Sequence, residues 1–260
     1  MTGDWNVDRA ATALLDCEHE VRDRGPLTEQ WPGLDVPTAY AVQTETLRRR
    51  LSGGQRITGI KLGLTSRAKQ RAMGVDTPLT GWLTDAMALA AGEPVPLPRF
   101  IHPRAEPEIV LVMGERLAGP GVTPEDALAA VAEVRAGLEV IDSRFRRFRF
   151  TLPDVIADNA SSAGYVLGSV VRDPGDLDVS AETCVLEADG GPAGSATGAA
   201  VLGSPAAALA LAANDLCTRG QAIEPGWLVF TGGLLDAVPL APGSRVRARF
   251  GSLGELTLTA

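Results

Sequence analysis

Little in this chain supports a disulfide scaffold, a zinc centre or a nucleic-acid interface. Its three cysteines, Cys17, Cys184 and Cys217, are far apart and form no CxxC. An odd, scattered set argues against a disulfide framework and reads as small buried or half-buried thiols. With only two histidines, His19 and His102, zinc is disfavoured. Positive charge is also short: 24 Lys and Arg against 32 Asp and Glu leave a net charge of −8. That argues against nucleic acid or an anionic membrane as the main partner. It leaves room for an anionic substrate, because a local cation or metal overrides the global field. The N-terminal MTGDWNVDRAATALLD lacks a basic-then-apolar signal. No apolar run of about 18 residues is read, so no membrane span is expected and the cytoplasm is the default location. No GxGxxG follows a strand, which weakens a Rossmann reading, and there is no internal repeat.

What is present is an ordinary globular composition, 45% apolar and 22% charged over 260 residues. That length fits one large domain, or a small N-terminal domain plus a larger one. Residues 6–22 and the stretch VPTAYAVQTETLRRRLSGG carry helical patterns, the second closed by Gly53 and Gly54. A turn-rich connector separates them. ITGIKLGLTS reads as a strand, SRAKQRAMG as a short helical turn, and TPLTGWLTDAMALAAGEPVPL as loop, strand and turn. TPEDALAAVAEVRAGLEVIDSRF opens with Thr123 as N-cap, a proline and two acids, so a helix is expected to run to near Gly137 before a strand LEVIDSRF. The second half holds short β segments punctuated by Gly and Pro, interrupted by one helix from Ser204 to Gly220. A mixed, β-rich core wrapped by a few helices fits best.

HPRAEPEIVLV poses the chemical question. Glu106 and Glu108 share one strand face with Val110 and Val112, since side chains alternate along a strand. Two carboxylates beside an apolar run repel and are costly to bury without a partner. Glu139 stands in a second apolar strand, and Lys61 in a third, between Ile60 and Leu62. The glutamates either face solvent at strand edges, or converge on a divalent cation such as Mg²⁺ or Mn²⁺, which takes oxygen ligands and keeps open positions for a chelating substrate. Lys61 must snorkel, pair with an acid or serve chemistry. Asp158, Asn159, Ser161 and Ser162 form a polar cluster, either a self-capping turn or a loop that binds a carboxylate. Of the four arginines in IDSRFRRFRF, Arg144 lies closest to Glu139 in sequence and is the one to watch. His102, ahead of a proline, reads as structural.

Taken together, GIKLGLTSRAKQRAMGVDTPLTGWL, HPRAEPEIVLVMGERLAGPGVT, LEVIDSRFRRFRFTLPDVIADNASSAGYVLG and VFTGGLLDAVPLAPG resemble one family. It is the 2-hydroxypenta-2,4-dienoate hydratase and 4-oxalocrotonate (2-oxo-3-hexenedioate) decarboxylase family of the fumarylacetoacetate hydrolase superfamily. The resemblance runs from about residue 26 to the C-terminus. It implies an α+β fold with a small N-terminal, mainly helical region, residues 1–75, and a larger mixed β-roll catalytic domain, residues 76–260, with Lys61 contributing to the site. It implies Glu106, Glu108 and Glu139 as metal ligands for Mg²⁺ (or Mn²⁺), and Lys61, Asp76 and Ser161 as catalytic groups. Arg144, Asn159 and Ser162 are taken as substrate-binding. The implied partners are a small dicarboxylate substrate, further copies of the chain in a homo-oligomer, and a paired hydratase.

Within the family, the run after IDSR and the paired Gly232 and Gly233 resemble the decarboxylase branch more than the hydratase branch. The implied reaction is metal-dependent loss of CO₂ from 2-oxo-3-hexenedioate to give 2-hydroxypenta-2,4-dienoate, in the meta-cleavage degradation of aromatic compounds. Lys61 is expected to pair with a substrate oxygen or to supply a proton, its pKa lowered by burial or by the cation. The alternatives are hydration of 2-hydroxypenta-2,4-dienoate to 4-hydroxy-2-oxopentanoate, a non-catalytic partner subunit, and a C–C bond hydrolase, the last made less attractive by the scarcity of histidine.

Overall fold

The computed structural model describes residues 5–260, so the first four residues of the acidic N-terminal stretch lie outside the described residues. Helix α1 (Val7–His19) begins where the Asn6 side chain accepts the Arg9 N–H, and buries Ala10, Ala11, Leu14 and Cys17. The connector holds a single helical turn, α2 (Leu27–Gln30). Helix α3 (Val36–Ser52) is capped by Asp35 and stops at Gly53 and Gly54, the latter with φ +94°. These helices pack on one another and on α6 (Leu152–Ala157) around Leu14, Leu27, Val42, Phe145 and Ile156. Gln43, buried on α3, donates to Thr80 O (2.9 Å) and Ile156 O (3.0 Å), and so ties the helical layer to strand and helix backbone.

The main sheet runs β2 (Leu79–Thr84), β1 (Ile57–Gly63), β8 (Leu228–Phe230), β3 (Arg104–Met113), β4 (Val131–Ile141), β5 (Ser162–Leu167), with β9 (Val238–Pro239) also pairing β3. Its pairs are antiparallel except β1 with β8. The parallel pair needs close backbone approach at Gly59, where a Cβ would fall 1.9 Å from Leu228 O. A second sheet, β11 (Glu255–Thr259), β10 (Arg245–Phe250), β6 (Thr183–Ala188), β7 (Gly191–Thr197), carries Val246, Leu186, Leu256 and Leu258 into the same core as Ile109, Leu111, Val134 and Leu138 of the main sheet. The fold is α+β, with helices near the N-terminus, as expected. Residues 1–75 hold α4 (Arg67–Met73) and β1 besides the three helices, and β1 is hydrogen-bonded into the main sheet.

One element differs from expectation. The helix begun at Thr123, with its capping box to Asp126, ends at Ala129; this is α5 (Pro124–Ala129). Residues expected to continue it form β4, which pairs with β3 from Val131 to Ile141. Alanines give VAEVRAG a helical look, but Val134, Ala136, Leu138 and Val140 alternate into the core, and pairing across the sheet overrides local propensity.

Gly198–Thr218 meets the length and composition of a membrane span, contrary to the sequence reading, with half of the window buried. Helix α7 itself covers only Pro205–Thr218, and Ala208, Leu209, Ala212, Ala213 and Leu216 sit in the core. It is accounted for as a core helix.

Candidate active site

The β3–β4 ladder brings the acids together. Glu106 lies directly opposite Glu139, and Glu108 opposite Gly137. Opposed residues of an antiparallel pair project to one face, so all three carboxylates stand on the face opposite the main core. One oxygen from each lies within 4.8 Å of the other two. Pro107 between them is tolerated because its carbonyl accepts from Leu234 N–H at 2.9 Å. Its missing N–H therefore points into the gap between β8 and β9, where no ladder bond is required. Gly137 leaves the room a side chain would deny, since a Cβ there would fall 2.6 Å from both Phe230 and Val110.

Few donors serve these carboxylates. Gly232 N–H donates to Glu108 Oε2 at 2.7 Å. Oε1 of Glu108 and Oε1 of Glu139 are buried without a hydrogen-bond partner among the described residues, and Glu139 Oε2 is served by the Lys61 ammonium alone among them. Lys61 Nζ forms an ion pair with Glu139 Oε2 at 3.0 Å and donates to Ala160 O at 3.0 Å. One lysine against three acids leaves a surplus of negative charge in a buried site. Burial, reinforced by the charge of Glu139, pushes the Glu106 carboxyl up, and burial with Glu139 and Glu106 pushes Glu108 well up, both against the pull of Lys61. The expected lowering of the Lys61 pKa is corrected: burial acts that way, but Glu139, Glu106 and Glu108 outweigh it and hold the ammonium above its usual range. The donor set suits a hard divalent cation, having oxygen ligands only, orphaned buried oxygens and charge to spare.

Glu106, only 9% exposed, opens onto a cavity of about 510 Å³. Lys61 and Ser161 line it, with apolar walls from Leu64, Leu79, Ile141, Phe148, Phe150 and Val155. Lys69 and Arg104 are its other cations. Helix α4 supplies Lys69 and Met73 to the wall and ends at Gly74 in a left-handed conformation.

The 158–162 segment holds the floor. Asn159, Ala160 and Ser161 are consecutive left-handed residues at φ +52°, +53° and +59°. Each non-glycine residue there costs about 1 kcal/mol or more, so the turn persists only because its surroundings fix it. The Asn159 amide accepts from Trp82 N–H (2.7 Å) and donates to Trp82 O (2.9 Å). Asp142 N–H donates to Ser161 O at 2.8 Å. Lys61 holds the Ala160 carbonyl. The reward is a Ser161 that faces the cavity.

Several expected substrate contacts are spent elsewhere. Arg144 is buried in an ion pair with Asp158 and also donates to the Asp158 and Ser162 carbonyls. Burial pushes the Asp158 carboxyl up to about 6, against the pull of Arg144. Arg144, Asn159 and Ser162 do not line the cavity; Ser162 Oγ is buried without a partner among the described residues. Asp76 is exposed and also stands outside the cavity wall. Asp142, which sequence reasoning passed over, accepts the Ile101 and His102 N–H groups at 2.7 and 2.8 Å and fixes the approach to β3. Arg104 was passed over too, although its place two residues before Glu106 puts it on the same strand face.

Residues 57–259 match the family described as fumarylacetoacetate (FAA) hydrolase, C-terminal. A 4-oxalocrotonate decarboxylase of Pseudomonas putida is 39% identical over 247 residues, covering 95% of this chain and 94% of the relative. A 2-hydroxyhexa-2,4-dienoate hydratase of Comamonas testosteroni is 38% identical, over 92% of this chain and 91% of its own. Among solved structures, 4-oxalocrotonate decarboxylase from Pseudomonas putida G7, complexed with magnesium and adipate, superposes with a TM-score of 0.95 at 38% identity, over 97% of this chain and 96% of that one. Fold, site and sequence agree: the chain belongs to the fumarylacetoacetate hydrolase family.

Proposed function

We propose that this chain is a lyase that removes the distal carboxylate of 2-oxo-3-hexenedioate as CO₂, giving 2-hydroxypenta-2,4-dienoate. The observation that carries the reading is the cluster of Glu106, Glu108 and Glu139, buried and short of donors, at the end of an apolar-walled cavity. It gains weight from the likeness to a 4-oxalocrotonate decarboxylase across nearly the whole of both chains.

Glu106, Glu108 and Glu139 would hold Mg²⁺ or Mn²⁺. When bound, the cation supplies Lewis-acid stabilisation of the negative charge that develops on the 2-oxo oxygen. In the reaction the bond from C5 to the distal carboxyl breaks. Its electron pair moves into C5=C4 while the C4=C3 pair shifts to C3=C2, and the 2-oxo oxygen takes the charge and then a proton. Lys61 keeps a proton at Nζ beside the acids and limits their repulsion. The side chains of Leu79, Phe148, Phe150 and Val155 exclude water from the far end, where a departing carboxylate must shed its hydration. Ser161 offers a hydroxyl to the bound acid. A homo-oligomer, association with a paired hydratase, and a cytoplasmic location are further parts of this reading, and rest on the family resemblance.

The second reading is hydration of 2-hydroxypenta-2,4-dienoate, favoured by the 38% identity to a dienoate hydratase. The far end of the substrate separates the two: the decarboxylase receives a second carboxylate there, and the hydratase a neutral alkene. Purified protein with Mg²⁺ and 2-oxo-3-hexenedioate should release CO₂, and EDTA should stop it. Turnover of 2-hydroxypenta-2,4-dienoate to 4-hydroxy-2-oxopentanoate with no CO₂ from the dicarboxylate would replace the first reading with the second.

A further inference from the structure

If the substrate is a dicarboxylate, its second carboxylate needs a cation, and the arginine expected to provide one is already engaged. Arg144 gives its guanidinium to Asp158 and to two backbone carbonyls behind the cavity floor. Two other cations besides Lys61 line the cavity, Lys69 and Arg104. Lys69 stands 3.9 Å from Asp236, an acid that also lines the cavity. Arg104 has no carboxylate partner among the described residues.

Arg104 is nonetheless held in place. It opens β3, its backbone paired with Ile141 on one side and Pro239 on the other. Two residues before Glu106, it projects to the same sheet face, about 7 Å along the strand from the acid cluster. Its guanidinium carbon lies 4.3 Å from the centre of the Phe148 ring. Stacking leaves the edge of the guanidinium fork, with its N–H donors, free for a planar acceptor. The ring is fixed in turn: Phe148 packs on His102 at 4.9 Å between centroids. Arg147 and Phe148 both take left-handed backbone, at φ +56° and +55°, to bring it there. A half-buried arginine braced on a strained aromatic, with no acid of its own, is built to receive an anion from outside the chain.

We propose that Arg104 binds the distal carboxylate of the substrate and sets the preference for a dicarboxylate over the corresponding monocarboxylate. This rests on the decarboxylase reading above. Phe148 orients the guanidinium, and the neighbouring apolar walls strip water from the bound carboxylate.

Binding without turnover tests it. With Mg²⁺ present, calorimetry compares adipate with hexanoate, which has the same head and chain but a methyl group in place of the second carboxylate. Wild type should bind adipate roughly tenfold to a hundredfold more tightly, the range of a hydrogen-bonded charge pair. Arg104→Met should abolish that preference and leave hexanoate binding unchanged, which also reports an intact fold and acid cluster. Arg104→Lys should retain part of the preference, and Lys69→Met all of it. If wild type prefers adipate and Arg104→Met keeps the preference, or if Lys69→Met removes it, the assignment is overturned while the decarboxylase reading stands. If wild type shows no preference for adipate, the assignment of Arg104 falls, and CO₂ release from 2-oxo-3-hexenedioate decides the decarboxylase reading separately.

Discussion

Glu106 and Glu139 face each other directly across the β3–β4 ladder, a like-charged pair in a buried site with one lysine between three acids. Such a cluster lowers stability unless protons or a cation neutralise it. Glu106 and Glu108 have folded-state pKa values above the ordinary 4.5. Between that value and the folded ones the native protein holds more protons than the unfolded chain, so stability from these groups is complete below pH 4.5 and lost as pH rises. Without metal, Glu108→Gln should therefore melt above wild type at pH 8, the gap closing toward pH 4.5. Mg²⁺ should raise the wild-type midpoint and leave the variant nearly unmoved. A wild type more stable than Glu108→Gln at pH 8 without metal would contradict the electrostatic account.

The same protonation makes metal affinity depend on pH. A cation must displace protons from Glu106 and Glu108 wherever these are still bound, so Mg²⁺ binding should tighten as pH rises above the ordinary carboxylate range. Titration calorimetry in two buffers of different ionisation enthalpy, run just above the ordinary carboxylate range, should detect released protons. Identical heats in the two buffers would show that the acids are already ionised.

Lys61→Met removes the side-chain cation that pairs with Glu139. CO₂ release should fall at least about a hundredfold, the scale of a lost acid–base group. Without metal, stability should drop by about 3–5 kcal/mol, the usual cost of leaving a buried charge unpaired. Mg²⁺ affinity should be retained or improved, because a competing cation is gone. A variant that loses metal binding along with activity would place Lys61 in the metal site's architecture instead.

Gly233 lets the chain pass close to the acids: a Cβ there would fall 2.3 Å from Glu106 Oε2. Gly233→Ala should push that carboxylate aside and weaken Mg²⁺ binding about tenfold to a hundredfold, as mutations next to metal ligands do. The urea midpoint should change little, since displacement of one cavity-facing side chain is local. Unaltered Mg²⁺ affinity would mean that Glu106 is not a ligand.

How far the site could be read from sequence depended on whether its partners were local. Glu106 and Glu108 were legible because a strand's period of two puts them on one face. Lys61 and Glu139 stood out as charges inside apolar strands. The engagement of Arg144 is not legible, because its partner Asp158 is brought to it by the fold, from beyond a helix and a left-handed turn that no spacing announces. The anchoring of Asn159 is illegible for the same reason, since the Trp82 backbone that takes up its amide belongs to strand β2, remote in sequence. The start of the strand at 131–141 reads as helix because its alanines speak for helix locally, while β3, which captures it, lies nearly twenty residues upstream along the chain. Arg104 carried a usable signal, an arginine two residues before the first acid of the pair, and only the structure reveals that it is unspent.

The most direct test labels the distal carboxylate of 2-oxo-3-hexenedioate with ¹³C and follows the label with Mg²⁺ and purified protein. The account predicts that the label leaves as CO₂ in step with formation of 2-hydroxypenta-2,4-dienoate, and that Glu139→Gln stops both. Label that stays on carbon, while the same protein hydrates 2-hydroxypenta-2,4-dienoate, would contradict it.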